Sequence, residues 1–444
     1  MSAAGDTADV VTLGATAPVG TWKARDVLSL ALIIGLSFCL MSDMFIMPAI
    51  IPELTLEYGV SANAIGWAGS AFMLAGALLG LVFGAAADRY SRKRLLIVTV
   101  LLGEVPCMLT GVRFFTDSFE GFVVMRLLTG IGVGGIYPIM FSLLADLVSE
   151  RHRAKASALV DIFWGLGMLS GPLWAAFALT TDYGWRLAFI LAALPSLPLV
   201  LLYACFGTEP RRGASEEMDS AKHALTWRLT ARQLFRRRSN VLLFLQGIPG
   251  SLPWGLLPFW VISFYREVRG FDAVTATGLW EIFGVATVIG TLFWASVGDW
   301  LFNRRPRHAA LLCTLVIAVG MLPMYALFNI EWPQYQDYVL LAICGGLLIS
   351  VASSNIRAFL MNVNPPEQRG SAFALFNLTD TIGKGVGPAV GGMILAASQD
   401  YQLMLNIAVS FWILCVVIFL GVVFTIDQDR AALQRRVPLE EVAR

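Results

Sequence analysis

The stretch Gly84–Arg94 reads Gly-Ala-Ala-Ala-Asp-Arg-Tyr-Ser-Arg-Lys-Arg and governs how the rest of the chain is interpreted. It lies between two apolar runs, 62–83 and 95–112, each long enough to cross a bilayer as a helix. Its four cations are difficult to move through hydrocarbon, so we expect them to remain on the cytoplasmic side of a membrane. The small residues at its start allow the two flanking helices to approach closely.

The composition agrees with a membrane protein. Of the 444 residues, 57% are hydrophobic and only 14% are charged, and the mean hydropathy is +0.70. A soluble core of this size does not need so much apolar surface, so the chain is predicted to cross the membrane many times. Its formal net charge of +1 gives no sign of a nucleic-acid partner, and none is expected.

Twelve apolar runs are long enough to cross a bilayer. They predict an all-α membrane protein with twelve transmembrane helices in two pseudo-symmetric bundles of six. The predicted spans are 26–50, 62–84, 95–114, 120–147, 156–178, 186–207, 239–265, 273–298, 308–329, 336–360, 370–397 and 403–427.

The cations determine the predicted orientation. Of the 32 Lys and Arg residues, 25 lie on the side of the membrane that also holds both tails. Four lie on the opposite side and three lie within spans. Because cytoplasmic loops carry the excess of cations, both termini are predicted to be cytoplasmic. The four outer cations are Arg113, Arg186, Arg266 and Arg269, and those within spans are Arg126, Arg357 and Lys384.

Two sequence patterns that occur twice in the chain indicate an internal repeat. The run 299–307 again places an acid and three arginines between two apolar runs. Pro172 follows Arg153 by 19 residues, and Pro388 follows Arg369 by the same interval. Paired halves of this kind are typical of transporters. The predicted divisions are a cytoplasmic tail without a secretion signal at 1–25, bundles at 26–207 and 239–427, a cytoplasmic linker at 208–238, and a cytoplasmic tail at 428–444.

Several of these phrases resemble motifs of the major facilitator superfamily of transporters. The pattern Gly-x-x-x-Asp-Arg-x-x-Arg-Lys-Arg from Gly84 resembles the loop between helices two and three, Arg126-x-x-x-Gly-x-Gly resembles the start of helix four, and Gly-x-x-x-Gly-Pro occurs in helices five and eleven. The resemblance implies two bundles that rock about a central cavity. It implies conformational roles for Gly84, Asp88, Arg89, Arg92, Gly171, Pro172, Asp299, Arg304, Gly387 and Pro388.

Within the superfamily the chain most resembles the spinster-like branch. The phrases that carry this likeness are Asp43 in helix one, Asp88–Lys93, Glu209–Gly213 and Pro366–Gly370. The helix-four Glu of that branch is replaced here by Val133, so a proton mechanism shared between that Glu and the helix-one Asp cannot transfer. The helix-four phrase also resembles the proton symporters of aromatic and other organic acids. The sequence leaves both branches open.

Charged residues inside the spans are the strongest functional signals, because each is costly in hydrocarbon. At 1.5 Å per residue, Asp43 lies about 24 Å from the cytoplasmic start of its helix and Arg126 about 9 Å below the outer end of its own. In a hydrocarbon core of about 30 Å these depths nearly coincide. A pair between them could exchange a proton when substrate competes for the arginine, or it could be a static packing contact.

Other intramembrane acids have less defined roles. Glu281 is predicted to be the second candidate for proton coupling, whereas Glu104 lies on a usually peripheral helix and is expected to satisfy a local hydrogen bond. Asp380 and Lys384 are four residues apart, so they either pair along one helix or leave Lys384 as a second anion-binding point.

Helix 239–265 contains three prolines, which free backbone carbonyls and allow bending. It is therefore predicted to form a gate, with Gln246 and Trp254 facing substrate and with Trp260 better suited to a lipid-interface anchor. The predicted substrate-binding residues are Arg126, Tyr137, Gln246, Trp254, Asn377 and Lys384.

Nothing in the sequence indicates an enzyme. The six cysteines lie inside spans without paired spacing, and the three histidines lie in or beside cytoplasmic loops. The phrase from Gly130 to Gly135 satisfies a dinucleotide pattern, but no strand precedes it. We expect no cofactor, no metal and no disulfide.

The predicted function is therefore secondary transport of a small organic solute, more favourably an anion, by alternating access and with coupling to protons. The alternatives are a lysolipid or other amphiphile, efflux of hydrophobic cations with Asp43 as the binding acid, and a sensor that retains the fold without transport. The protein is predicted to be a monomer in the lipid bilayer of the cell inner (plasma) membrane. Neither the direction of transport nor the choice between protons and sodium follows from the sequence.

Overall fold

The computed structural model describes residues 24–87, 89–148, 150–210 and 233–434. Throughout these ranges the ordered elements are helices, and no strand occurs among them. The predicted all-α class is therefore confirmed.

The first half of the chain forms eight α-helices and two short 3-10 turns. The turns are Met47–Ile50, which joins α1 to α2, and Arg113–Phe115. The helices are α1 (Ala24–Met44), α2 (Ile51–Tyr58), α3 (Ala62–Ala87), α4 (Arg92–Thr110), α5 (Phe119–Leu147), α6 (Glu150–Ala178), α7 (Arg186–Ala193) and α8 (Ser196–Phe206).

The second half continues with long helices joined by tight connections. They are α9 (Arg238–Glu267), α10 (Ala273–Arg304), α11 (Pro306–Asn329), α12 (Tyr335–Ile349), α13 (Val351–Val363), α14 (Pro366–Ser398) and α15 (Tyr401–Gln434).

Helical segments occur at all twelve predicted spans. Within the described ranges ten are long and apolar enough to cross a membrane. The remaining two, α4 and α14, have the length but are more polar: α4 carries Lys93, Arg94 and Glu104, and α14 carries Asp380 and Lys384. The count of twelve spans and the cytoplasmic side of the termini stay predictions.

The boundaries differ from the prediction at four places. The first segment continues as α2 to Tyr58, where Gly59 ends it with a left-handed φ of 62°. The sixth and tenth segments are each interrupted, between α7 and α8 and between α12 and α13. The last helix extends beyond 427 to Gln434, and most of the predicted linker, 211–232, lies outside the described residues.

Glycines allow the same close packing in both halves. A Cβ atom on Gly171 of α6 would lie 2.2 Å from the Ser42 carbonyl oxygen of α1, and one on Gly387 of α14 would lie 2.6 Å from the Leu256 backbone nitrogen of α9. Helices without a hydrophobic driving force between them depend on such small residues for contact. The repeat predicted from the two Gly-Pro motifs is thus present as repeated packing.

The two halves contact each other at the end predicted to face outward. There the Arg266 guanidinium of α9 binds Glu53 of α2 with both nitrogens, at 2.5 and 2.9 Å, and also donates to the Ala49 carbonyl. Deeper in, the backbone N–H of Ala389 donates to the Ser70 hydroxyl at 2.9 Å, which joins α14 to α3. These contacts close the outer end.

Toward the other end the same two helices carry exposed apolar side chains. Contacts between α3 and α14 run inward as far as Leu74 and Gly385. Beyond that level Leu81 is 67% exposed and Leu378 is 47% exposed. The halves are therefore in contact at the predicted outer end, while Leu81 and Leu378, nearer the predicted cytoplasmic ends of α3 and α14, are not covered by the opposite half.

Replacing Glu53 by Gln should shift the protein toward an outward-open arrangement, because it removes an ion pair that joins the halves. Partly exposed pairs are worth about 1 kcal/mol, so the outward-open population should rise roughly fivefold. The measurement is a pulsed electron-resonance distance between spin labels at Leu56 and Val268, with the exposed Cys205 replaced by Ser.

Glu57→Gln is the matched control, since Glu57 pairs with Arg186 at 2.7 Å within the first half. A distance distribution that changes equally in both variants would show that the Glu53 pair has no specific role in closing the outer end.

Candidate functional site

A small cavity lies where the break after α1 meets α3, α5 and α9. Its wall is mostly apolar, with methionine and aromatic side chains and one cation, Arg126. Both halves contribute to it, and the lining includes Met44, Phe45, Phe72, Met73, Arg126 and Phe259. A cavity shared by two halves that are closed on one side is the natural place for a transported solute.

Asp43 and Arg126 form the predicted ion pair beside this cavity, and Arg126 lines it. Asp43 lies next to the end of α1, and the Arg126 Nη1 atom of α5 donates to its Oδ1 at 2.7 Å. The two side chains are 0% and 2% exposed. A charge in this position is tolerable only because it is paired.

Two aromatic rings cover the guanidinium. The ring centroid of Phe72 lies 4.6 Å from the Arg126 Cζ atom, and that of Phe189 lies 5.1 Å from it. These are cation–π distances, so the rings both shield and stabilise the charge. Phe72 and Arg126 both line the cavity, so a solute there would meet the ring beside the guanidinium.

The pair retains unused hydrogen-bonding capacity. Among the described residues, Asp43 Oδ2, Arg126 Nε and the neighbouring Ser42 hydroxyl have no hydrogen-bond partner. Buried polar atoms are normally satisfied, and exceptions cluster at functional sites. Arg126 can therefore accept a second anionic partner without first losing Asp43 entirely.

Gly171 places the backbone of α6 directly against this site, at the Ser42 carbonyl. Substituting Ala for Gly171 should destabilise the protein by about 1–3 kcal/mol, because the new methyl group would overlap backbone that cannot move freely. Thermal unfolding of the detergent-purified protein would measure this.

Gly165→Ala on the same helix is the control, since a Cβ there meets no atom within 4 Å. It should be neutral or stabilising by up to about 1 kcal/mol, the helix preference of Ala over Gly. Equal melting temperatures for the two variants would contradict the packing argument.

Arg126 is the one predicted substrate residue among those that line the described cavity. Tyr137 lies further along α5, half exposed, with its ring 4.8 Å from Phe141 and 4.9 Å from Trp164. Trp254 packs edge-on against Trp412 at 6.0 Å. Their roles in substrate binding stay predictions.

Two residues of α9, Gln246 and Trp260, have surroundings that differ from the predicted ones. Gln246 is buried with its amide nitrogen 3.6 Å from the Cys415 sulfur of α15, so it does not face the cavity. Trp260 is completely buried and donates to the Pro388 carbonyl at 3.1 Å. The interpretation of Trp260 as a lipid-interface anchor was wrong, because Gly391 leaves room for its ring against α14.

The polar residues of α14 form a local network. Lys384 donates to Asp380 at 2.8 Å along the helix, and the Ser251 hydroxyl of α9 also donates to Asp380. Asn377 is exposed one turn before Asp380. The predicted pairing within the helix is present, and an additional role of Lys384 or Asn377 in anion binding stays a prediction.

Two acids inside the bundle have no hydrogen bond to any described residue. Glu281 of α10 is half-buried, and both its carboxyl oxygens lack a partner. Glu104 of α4 is fully buried and likewise unpartnered. Its electrostatic neighbours are Asp43 and Arg126, and the Ser196 hydroxyl of α8 lies near its carboxyl group, so the expected local hydrogen bond of Glu104 stays a prediction.

In the loop Gly84–Arg94, Arg92 makes its contacts within the first half of the chain. Arg92 is buried and donates to Asp146 at 2.5 Å and to the Ser142 carbonyl at 2.9 Å, while its backbone N–H donates to Glu209. Asp88, which the resemblance also assigns a conformational role, lies outside the described residues. Arg92 therefore fastens α4 to the end of α5, within one half.

The remaining residues predicted to govern conformational change have various surroundings. Gly84 lies opposite Pro138, Arg89 and Asp299 are exposed, and the Arg304 guanidinium lies 4.1 Å from the Trp300 ring centroid. Pro172 and Pro388 are buried beside their glycines. Their part in the transport cycle stays a prediction.

Sequence reasoning missed Phe72 and the Glu53–Arg266 pair. Phe72 lies in a uniformly apolar run, so no pattern distinguished it from residues that face lipid. From the sequence, Arg266 was recognised only as one of four outer cations. Because cations are rare on that side, its presence there was the one available indication that it has a specific partner.

A helical bundle of two similarly packed halves, with a buried ion pair beside the cavity between them, defines a membrane transporter rather than an enzyme. Comparison with known proteins agrees. The sequence pattern of the Major Facilitator Superfamily matches residues 32–345 and 324–443. The chain belongs to this superfamily.

Relatives of known description share about a quarter of their residues with the chain. A cis,cis-muconate transport protein of Acinetobacter baylyi is 24% identical over 81% of this chain and 85% of its own length. A gallate transporter of Pseudomonas putida is 26% identical over 82% and 84%. The fold is also similar, with a TM-score of 0.83 and 17% identity, to an inward-facing bacterial homologue of the human lysosomal transporter spinster, over 93% and 99% of the two chains.

Proposed function

We propose that this protein is a proton-coupled symporter of a small organic anion that works by alternating access. The observation that carries the proposal is the Asp43–Arg126 pair, whose arginine lines a cavity shared by both halves. The pair offers a cation for the solute and an acid for the proton within one hydrogen bond of each other.

Arg126 is the proposed binding residue for the anionic group of the solute. A carboxylate in the cavity can meet the guanidinium in the bidentate geometry that arginine favours. The methionines and phenylalanines of the cavity wall would receive the apolar part of the solute. The descriptions of the relatives support a carboxylate, since gallate carries one and cis,cis-muconate carries two.

Asp43 is the proposed proton carrier. When the solute takes Arg126, Asp43 loses its partner in a place where neither oxygen reaches solvent. An isolated ionised carboxylate is costly there, so it binds a proton from the side to which the cavity is open. Release of the solute returns Arg126 to Asp43 and expels the proton. A monovalent anion and a proton then move together without net charge.

Alternation requires the contacts between the halves to open and close. We propose that the Glu53–Arg266 pair and the α3–α14 contact break in the outward-open state, while the inner ends of the halves come together. The two halves, 26–207 and 239–427, would move as bodies joined by the linker 208–238, in a monomer in the inner (plasma) membrane with both termini in the cytoplasm.

Transport by purified protein in liposomes tests the proposal, with radiolabelled gallate and cis,cis-muconate as probes. Wild type should accumulate at least one of them when the pH is lower on the side of uptake. Asp43→Asn should lose this accumulation at least tenfold yet keep solute exchange across the membrane, because exchange needs no net proton movement. Arg126→Gln should lose both.

Glu57→Gln, which lies outside the cavity, is the matched control and should transport normally. Accumulation by Asp43→Asn under an imposed pH difference would contradict the proton role. Uptake of lysophosphatidylcholine instead of either acid would favour the amphiphile alternative. Binding of a probe by wild type without any flux would favour a sensor.

A further inference from the structure

Glu104 is a buried acid that the proposed mechanism does not use. It lies in the middle of α4, its side chain is 0% exposed, and both carboxyl oxygens lack a hydrogen-bond donor among the described residues. An ionised carboxylate without any donor is among the most costly groups to bury. Glu104 must therefore be neutral or have a nearby compensating charge.

Every element packed against this part of α4 contributes a group. Helix α1 contributes Asp43 and the Cys39 thiol, and α5 contributes Arg126, all of which interact electrostatically with Glu104 directly. One turn along α4, the Cys107 thiol donates to the Phe189 carbonyl of α7 at 3.6 Å. Helix α8 contributes the Ser196 hydroxyl, which is near the carboxyl group.

The Ser196 hydroxyl is already engaged as a donor elsewhere. Its one hydrogen is donated to the Ala193 carbonyl at 2.6 Å. A hydroxyl oxygen that has donated its hydrogen is still able to accept one. In this arrangement it can accept from a protonated Glu104, whereas donation to a carboxylate would require the hydroxyl to turn away from Ala193.

The charges of the cluster lead to the same conclusion. Asp43 and Glu104 are two acids that share one cation, Arg126, in a region from which water is excluded. With both acids ionised the cluster would carry one uncompensated negative charge, whereas a single proton makes it neutral. Because Arg126 donates to Asp43 at 2.7 Å, the proton belongs on Glu104.

We propose that Glu104 is a second proton-binding residue of the Asp43–Arg126 site. It carries a proton while Arg126 is bonded to Asp43, and it gives that proton up to become the partner of Arg126 when Asp43 is neutralised. The transport role of this proton rests on the proposed function, whereas its presence on Glu104 does not.

The exchange balances without any outside reactant. In one state Asp43 is ionised beside Arg126 and Glu104 is protonated. In the other the O–H bond of Glu104 has broken, an O–H bond has formed on Asp43, and the Glu104 carboxylate faces the guanidinium. Arg126 has an unused Nε–H for this purpose. Both states are neutral, so the site can exchange partners without exposing a bare charge.

Infrared spectroscopy of the purified protein at neutral pH tests the proposal through the C=O stretching band of protonated carboxyl groups. Wild type should show a band that shifts when glutamate, but not aspartate, is labelled with carbon-13. Glu104→Gln should lose this band. Asp43→Asn should lose it too, because Glu104 then ionises beside Arg126.

Glu281→Gln is the matched control, since Glu281 is the other glutamate of the bundle interior whose two oxygens have no described partner; the Glu104 band should survive it. The double variant Asp43→Asn with Glu104→Gln leaves Arg126 without an acid and should lower the yield of monodisperse protein more than tenfold relative to either single variant.

A band unchanged in Glu104→Gln, or one that persists in Asp43→Asn, would overturn the proposal. The labelled wild type gives an answer even where a variant does not fold, since the absence of a glutamate-dependent band would also overturn it. Loss of the proposed symport with the Glu104 band intact would instead refute the transport mechanism alone.

Discussion

The cost of a charge in a dry interior is the constraint on which this structure depends. Arg126 has almost no access to solvent, so it needs an acid at hydrogen-bond distance, and Asp43 supplies one at 2.7 Å. The two side chains meet because α1 ends at the same depth in the bundle at which α5 carries Arg126. Three features support this contact: the break after α1, the ring of Phe72 over the guanidinium, and the packing of Gly171 of α6 against Ser42.

Helices must also associate where lipid offers no hydrophobic gain, and glycines allow this by letting backbones approach closely. Helices α6 and α14 use glycines at matched positions to contact α1 and α9. The contact between the halves uses the same means, since a Cβ on Gly66 would lie 2.4 Å from the Pro388 carbonyl. Contacts within a half and between halves are thus chemically alike. Contacts between the halves differ by including, among the described residues, the Glu53–Arg266 ion pair, which can break and re-form.

The halves share a packing plan but differ in chemistry. The charged cluster of Asp43, Glu104 and Arg126 belongs to the first half, while the second contributes glycine, proline and the Phe259 ring to the cavity wall. We infer a division of labour in which the first half handles charge and the second supplies apolar surface. Such asymmetry allows the second half to close over a bound solute without removing another charge from water.

The sequence alone determined the all-α class, the paired halves and the Asp43–Arg126 pair, because apolar runs, cation placement and helical rise are local quantities. Tertiary structure decided the rest. Residue spacing could not show that Glu104 turns inward, that Gln246 faces Cys415 or that Trp260 is buried under α14, since each depends on how a helix is rotated against its neighbours. In lipid both faces of a helix are apolar, so hydropathy does not encode that rotation, and only the packed helices reveal which polar side chains meet.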